Sequence, residues 1–222
     1  MATANRPGFV RQALRCFVRQ TYRNKELIVV DDGDRPVQAL CRDVPGVRYL
    51  RLTQPATTGA KMNLGIESAR GSIIHKLDDD DFYHADFLAT SVANLPPRDR
   101  ETILVTRCCF LVLLRGDPLL RHSGHGWRPG GAFVFDRAMW RRIPFREVPR
   151  SEDSWFLRDH EPEIVRICRT EEYMVVRHGA NTWKSMTTGD ADDYFRARPI
   201  YEKALSEVVP REDLRFYRSL VG

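Results

Sequence analysis

The run Leu77-Asp78-Asp79-Asp80-Asp81-Phe82-Tyr83 sets four consecutive carboxylates directly after the apolar stretch 72–77. Like charges at that density repel one another unless something positive sits among them. Hard oxygen ligands of this kind suit a divalent cation, Mg²⁺ or Mn²⁺, carried in with phosphates. The other reading is a solvated acidic turn that caps the next helix. A second acidic end, Asp31-Asp32-Gly33, follows the apolar run 26–30. An Asp there can accept a hydrogen bond from a base N–H or a ribose hydroxyl, or it can be a plain Asp-Gly turn. Glu152-Asp153 opens a helix ahead of Trp155. A carboxylate at a helix N-terminus stays ionised, as suits a general base, and also suits a simple cap. His178 closes a strand and can complete a metal site through its imidazole or serve the core alone.

The elements that position these groups follow from periodicity. Pro7 opens a helix whose Phe9, Val10, Ala13, Leu14, Phe17 and Val18 recur at helical spacing. Residues 26–30 and 47–52 read as strands with a short helix over 37–42 between them, and Thr57-Thr58 leads a helix to about Gly71. Near-continuous apolar strands alternating with helices predict an α/β fold with a mostly parallel, doubly wound sheet and helices on both faces. Such sheets bind ligands at the carboxyl ends of their strands, where both acidic ends lie. Beyond Pro96-Pro97 the pattern changes to strands over 102–114 and 132–135 around a Gly-rich loop, 122–131. A helix is expected from Ser151, short strands at 164–168 and 173–176, and a helical tail from Asp190 broken at Pro210. One domain over 1–222 is expected, its functional halves meeting at 97/98.

The 222 residues carry a net charge of +5 without a Lys/Arg block, which argues against a nucleic-acid partner. Five cysteines with no CxxC spacing argue against a disulfide framework or a zinc site and read as buried free thiols in a reducing cytoplasm. The longest apolar stretch, 108–114, is too short to cross a bilayer, so a cytoplasmic protein, peripheral at most to the inner face of a membrane, is expected.

Thr3-Ala4-Asn5-Arg6-Pro7, Gln20-Thr21-Tyr22, the run 26–33, Asn63-Leu64-Gly65-Ile66, Ala69-Arg70-Gly71 and the 78–81 run stand in the order found in family 2 glycosyltransferases. The ordered set closely resembles that family from residue 3 to about 90, and more loosely through Gly130-Gly131-Ala132-Phe133 and Glu152-Asp153 to His178. The resemblance implies a GT-A fold that binds a nucleotide-sugar donor, commonly UDP-linked, with Mn²⁺ or Mg²⁺. It implies donor contacts at Thr3, Asn5, Arg6, Asp32, Lys61, Asp78 and Asp79, with the base near Thr3 and Asp32 and the ribose on Asp79. It implies metal ligation by Asp80 and His178. Asp153 would deprotonate the hydroxyl of a carbohydrate or lipid-linked acceptor for in-line, inverting attack, with Asp81, Glu152 and Trp155 in support.

Three departures stand out. The family has a β-strand before the Thr-x-Asn-Arg segment, and here almost nothing precedes it. Lys61-Met62-Asn63 replaces a common Ala-Arg-Asn, so Lys61 would supply the basic contact. The second half is short and lacks membrane helices. A nucleotidyltransferase and a GT-A-like module that binds without turnover are the rival readings. Trp127, Trp155 and Trp183 read either as sugar-stacking surfaces or as core.

Overall fold

The computed structural model describes residues 1–97, 100–148, 150–186 and 189–221. Residues 98 and 99, where the boundary between the halves was expected, lie outside the described residues. The first half alternates as expected: β1 (Ala2–Thr3), α1 (Pro7–Arg19), β2 (Leu27–Asp31), α2 (Gln38–Cys41), β3 (Val47–Arg51) and α3 (Thr58–Glu67). Then come β4 (Ile73–His75), β5 (Phe82–Tyr83) and α4 (Phe87–Ala93). Pro7 occupies the first turn of α1, and Val10, Ala13, Leu14 and Phe17 are buried while Val18 faces out. Thr57 caps α3 by accepting from the Ala60 N–H at 3.2 Å. That helix ends at Glu67, short of the expected Gly71.

The second half holds β6 (Ile103–Arg107), β7 (Leu111–Leu114), β8 (Leu120–His122), β9 (Val134–Asp136), α5 (Arg137–Arg142), α6 (Glu152–His160), β10 (Glu163–Ile167) and β11 (Tyr173–Arg177). A hairpin of β12 (Ser185–Met186) and β13 (Gly189–Asp190) leads to α7 (Ala191–Arg196), α8 (Leu205–Val208) and α9 (Leu214–Val221). The strand expected over 102–114 is two strands, because the chain changes sheets at Cys108–Phe110.

The sheets are ordered β1-β2-β3, all parallel; β10-β6-β9-β4; and β5-β11-β7-β8. The second sheet is mixed: β10 runs parallel to β6, whereas β9 is antiparallel to both β6 and β4. β1 gives only two residues to the first sheet, pairing Ala2 with Val30 and Thr3 with Asp31. A cavity of about 690 Å³, lined by Met1, Ile28, Met62, Ile66, Ile74 and Val134 among others, separates that sheet from β4. A large apolar cluster around Phe17, Val29, Phe110 and Tyr217 unites the halves, and a smaller one holds Met62, Phe135, Phe145 and Phe156 beneath α6. Burial of this order is the main favourable term in folding.

One expectation is overturned. Cys108 and Cys168 form a disulfide, with Cα atoms 5.4 Å apart, and only Cys16, Cys41 and Cys109 are buried free thiols. The parallel register of β6 and β10 pairs Arg107 with Ile167, so the next residue on each strand is a cysteine beside a cysteine. Sequence spacing alone does not reveal that neighbourhood. Among the described residues, no helix is long and apolar enough to cross a membrane.

Candidate active site

Both acidic ends lie at the carboxyl ends of strands, but their carboxylates serve different ends. Asp31 is fully buried and holds its own turn together. It accepts from the Gly33 N–H at 2.9 Å, the Val37 N–H at 3.0 Å and the Tyr49 hydroxyl at 2.8 Å. Asp32 turns toward α3, where the Lys61 ammonium donates to it at 2.7 Å and to the Thr3 carbonyl at 3.2 Å. The Ala56 N–H satisfies the other Asp32 oxygen at 2.8 Å. Asn5, with φ of +58°, accepts from the Arg35 N–H at 3.0 Å and packs against Gly33, where a Cβ would stand 2.3 Å from the Asn5 nitrogen. Thr3, Lys61 and Asp32 thus form a cross-braced floor, and the Lys61 charge is spent on Asp32.

The run 78–81 is not a solvated turn. Each of its carboxylates is partnered, with one Arg6 nitrogen shared by Asp79 and Asp80, as the repulsion among them requires. Lys76 is buried, donates to Asp78 at 2.8 Å and lies 3.6 Å from Glu152. Burial opposes its charge, yet Asp78, Glu152 and Asp153 together hold its pKa above the ordinary value. Asp79 accepts from the Thr3 hydroxyl at 2.6 Å and from Arg6 at 2.9 Å. Burial, with the neighbouring charge of Asp80, lifts its pKa to about 6. Asp80 receives the same Arg6 nitrogen at 2.9 Å and His178 Nε2 at 2.9 Å. Against its burial, the His178 hydrogen bond and the Arg6 charge hold it below the usual range.

Asp81 is an anchor. It accepts from the Tyr173 hydroxyl and, at 3.1 Å, from the Val176 N–H, which fixes β11 beside the acidic run. Burial raises its pKa well above the ordinary carboxylate value. β11 then ends one residue before His178. Asn181 folds the following loop back, donating to the Val176 carbonyl and accepting from the His178 N–H, both at 2.8 Å. Arg177 secures the same loop through the Trp183 carbonyl at 2.6 Å. His178 therefore reaches Asp80 from 98 residues away.

Glu152 and Asp153 open α6 as expected, but Ser151 is not a side-chain cap: it has φ of +62° and its hydroxyl makes no capping bond. Glu152 is buried, and that burial raises its pKa even with Lys76 nearby. Asp153 accepts from the Ser154 N–H at 2.7 Å through Oδ1 and presses Oδ2 against Gly130. Gly131 is hemmed in by the Tyr173 and Tyr83 hydroxyls and by Asp78 Oδ2, each within 3.1 Å of where a Cβ would stand.

Of these groups Thr3, Arg6, Lys61, Asp78–Asp81, Glu152 and Asp153 line one cavity of about 680 Å³; Asn5, Asp32 and His178 do not line it, and His178 meets it through Asp80. Trp127 and Trp183 also line it, 5.8 Å apart edge to face. Trp155 does not line it; the Arg146 and Arg158 guanidiniums lie over its ring at 4.0 and 4.5 Å. Lys76, Asn181 and the Trp127–Trp183 pair were not foreseen as a unit. A lysine inside an otherwise apolar strand was the one signal available for Lys76, and nothing local marks Asn181.

The arrangement fits a divalent cation. Arg6 Nη1 already sits 2.9 Å from a carboxylate oxygen of both Asp79 and Asp80, so the pocket is built around positive charge. Asp80 Oδ2 and His178 Nε2 are 2.9 Å apart. Adjacent ligands on an octahedral ion, each about 2.1 Å from it, are separated by roughly 3 Å.

Comparison with known proteins bears on the family and the fold. Residues 1–110 match the model of glycosyl transferase family 2. The chain is 30% identical over 86 residues to an uncharacterized glycosyltransferase of Rickettsia conorii, which covers 37% of this chain and 14% of that protein. It is 34% identical over 87 residues to the amylovoran biosynthesis glycosyltransferase AmsB of Erwinia amylovora, covering 36% of this chain and 29% of that protein. The matches span between 14% and 37% of the length of these curated relatives. In three dimensions the chain resembles S. aureus TarS residues 1–349 in complex with UDP-GlcNAc, with a TM-score of 0.62 at 16% identity, over 81% of this chain and 58% of that one. It also resembles the mannosyltransferase PcManGT from Pyrobaculum calidifontis in complex with GDP-Man and Mn²⁺, with a TM-score of 0.61 at 17% identity, over 79% and 55% of the two chains. The fold is GT-A, and its residues 1–110 match glycosyl transferase family 2.

Proposed function

We propose that this chain transfers a sugar, with inversion, from a nucleotide-sugar donor, UDP-linked by preference, to an acceptor hydroxyl. The observation that carries the reading is the contact of His178 Nε2 with Asp80 at 2.9 Å, at the edge of a cavity that Asp80 lines together with Arg6, Asp79 and Asp153. Relatives named as glycosyltransferases, and a neighbour holding GDP-Man with Mn²⁺, support it.

In this reading the first half binds the donor and the second binds the acceptor. Thr3 and Asp32 border the base and Asp79 takes the ribose. Asp80 and His178 hold the divalent ion, and an imidazole among the ligands favours Mn²⁺ over Mg²⁺. When bound, the ion neutralises charge on the departing diphosphate. Arg6, poised between Asp79 and Asp80, is free to meet that diphosphate once a second cation joins the carboxylates. Asp153 accepts the acceptor's hydroxyl proton at Oδ2 as the hydroxyl oxygen bonds to the anomeric carbon. The bond from that carbon to phosphate breaks on the opposite face, and the nucleoside diphosphate leaves with the electron pair. Trp127 and Trp183 give apolar faces to a sugar ring. The acceptor is a carbohydrate or a lipid-linked carbohydrate.

The test pairs two variants on one assay. Asp153→Asn is expected to keep nucleotide affinity and lose transfer by about two to four orders of magnitude, the range for loss of a general base. Asp80→Ala is expected to lose Mn²⁺-dependent UDP binding. Transfer by Asp153→Asn at close to the wild-type rate, or unchanged UDP affinity in Asp80→Ala with Mn²⁺ present, overturns the respective assignment.

A further inference from the structure

We infer that Cys108, Cys168 and His125 form a second metal site, specific for a thiophilic ion such as Zn²⁺, which takes the two sulfurs as thiolates in place of their disulfide. The ligand atoms of these residues lie within 4.8 Å of one another. The parallel pairing of β6 with β10 sets the two cysteines side by side at the strand ends. The third group arrives by a separate route. The Gly-rich loop folds back so that the Trp127 N–H donates to the Cys108 carbonyl at 3.1 Å. Two residues earlier, His125 turns its Nδ1 to within 3.8 Å of the Cys108 sulfur. A disulfide needs no imidazole aimed at it, whereas two thiolates and one imidazole are a preferred donor set for Zn²⁺. Cys108 is buried while Cys168 and His125 are exposed, so an ion can enter from solvent and a water can fill a fourth position. Hard oxygen donors are absent from this group of ligands, which separates its preference from that of Asp80 and His178.

The disulfide and the metal complex are alternative states of the same sulfurs. A phosphine reductant opens the disulfide by taking an oxygen from water: one disulfide, one phosphine and one water give two thiols and one phosphine oxide. Each thiol then releases a proton as it binds the ion. The ion would clasp the loop that carries Trp127 and Arg128 into the 680 Å³ cavity, holding that wall from behind.

Co²⁺ serves as the probe, because thiolate ligation gives it a charge-transfer band that carboxylate or imidazole ligands do not. Wild type reduced by phosphine while folded, then counted in denaturant because the free thiols are buried, should show five thiols against three before reduction. It should then bind one Co²⁺ with that band and tetrahedral visible bands, and Zn²⁺ should displace it. Cys168→Ser should abolish the band. His125→Ala, a surface change that leaves the fold alone, should weaken Zn²⁺ by roughly 10–100-fold or more, since even outer-shell changes cost that much. Three thiols persisting after native-state reduction, no thiolate band, or equal Zn²⁺ affinity in His125→Ala would each overturn the site. None of these readings depends on sugar transfer.

Discussion

Gly130→Ala isolates the placement of Asp153 from its chemistry. A Cβ at residue 130 stands 2.2 Å from Asp153 Oδ2 and 2.8 Å from its Cβ and Cγ. Ordinary contact begins near 3.4 Å, so the carboxylate must withdraw by about 1.2 Å. Gly130 has no left-handed backbone angle, so alanine meets no conformational penalty there and the clash falls on the side chain. A misplacement of about 1 Å in a catalytic group costs about 10²-fold. Gly130→Ala should therefore lower kcat by about two orders of magnitude while UDP affinity with Mn²⁺, read by calorimetry, stays near wild type. The loss should not multiply with that of Asp153→Asn, because both act through one carboxylate. A kcat within about threefold of wild type, or full multiplication in the double variant, would refute the reasoning.

Two further outcomes follow from buried titratable groups. Burial holds the Asp79 pKa near 6, so below that pH the carboxylate that accepts from the ribose is lost to protonation; UDP affinity should fall by up to about tenfold per pH unit below 6 and level off above it, and a flat profile between pH 5 and 7 would count against Asp79. Burial drives the His75 pKa down to about 3, so below about 6.5 the unfolded chain takes up a proton that the fold refuses, and stability present above that pH is lost on acidification at about 1.4 kcal/mol per unit. Between pH 7 and pH 5 this amounts to about 2 kcal/mol, which His75→Phe should abolish in urea unfolding; equal losses in both proteins would return the acid sensitivity to other groups.

What the chain made legible was local and periodic. The apolar face of α1, the strands ending at Asp31 and after His75, and the Thr57 cap are each set by neighbours a few residues apart, so composition and spacing suffice. The order of acidic ends along the chain also placed them on one rim of the fold. Pairing between distant segments was not legible. The reversal of β9, the sheet change at Cys108–Phe110 and the Cys108–Cys168 bond all depend on which strands become neighbours. The two arginines over the Trp155 ring were not legible for a related reason: its helix was placed correctly, but Arg146 reaches it from outside that helix.

The acidic run shows how far local reasoning carries before tertiary structure must complete it. Four adjacent carboxylates demand compensation, and that demand was readable without a structure. The compensation itself is divided by position. Lys76 answers Asp78 from within the same strand connection, Arg6 bridges Asp79 and Asp80 from the start of α1, and His178 answers Asp80 from just past the end of β11. Asp81 is answered by neutral donors alone, Tyr173 and the Val176 N–H, and burial favours its protonated form. That one difference gives the four their separate parts. A carboxylate held by neutral donors on β11 can only fix structure, and by fixing β11 it sets where His178 begins. Asp79 and Asp80 share one guanidinium between them, and it is Asp80, with His178 at 2.9 Å, that an incoming cation can claim.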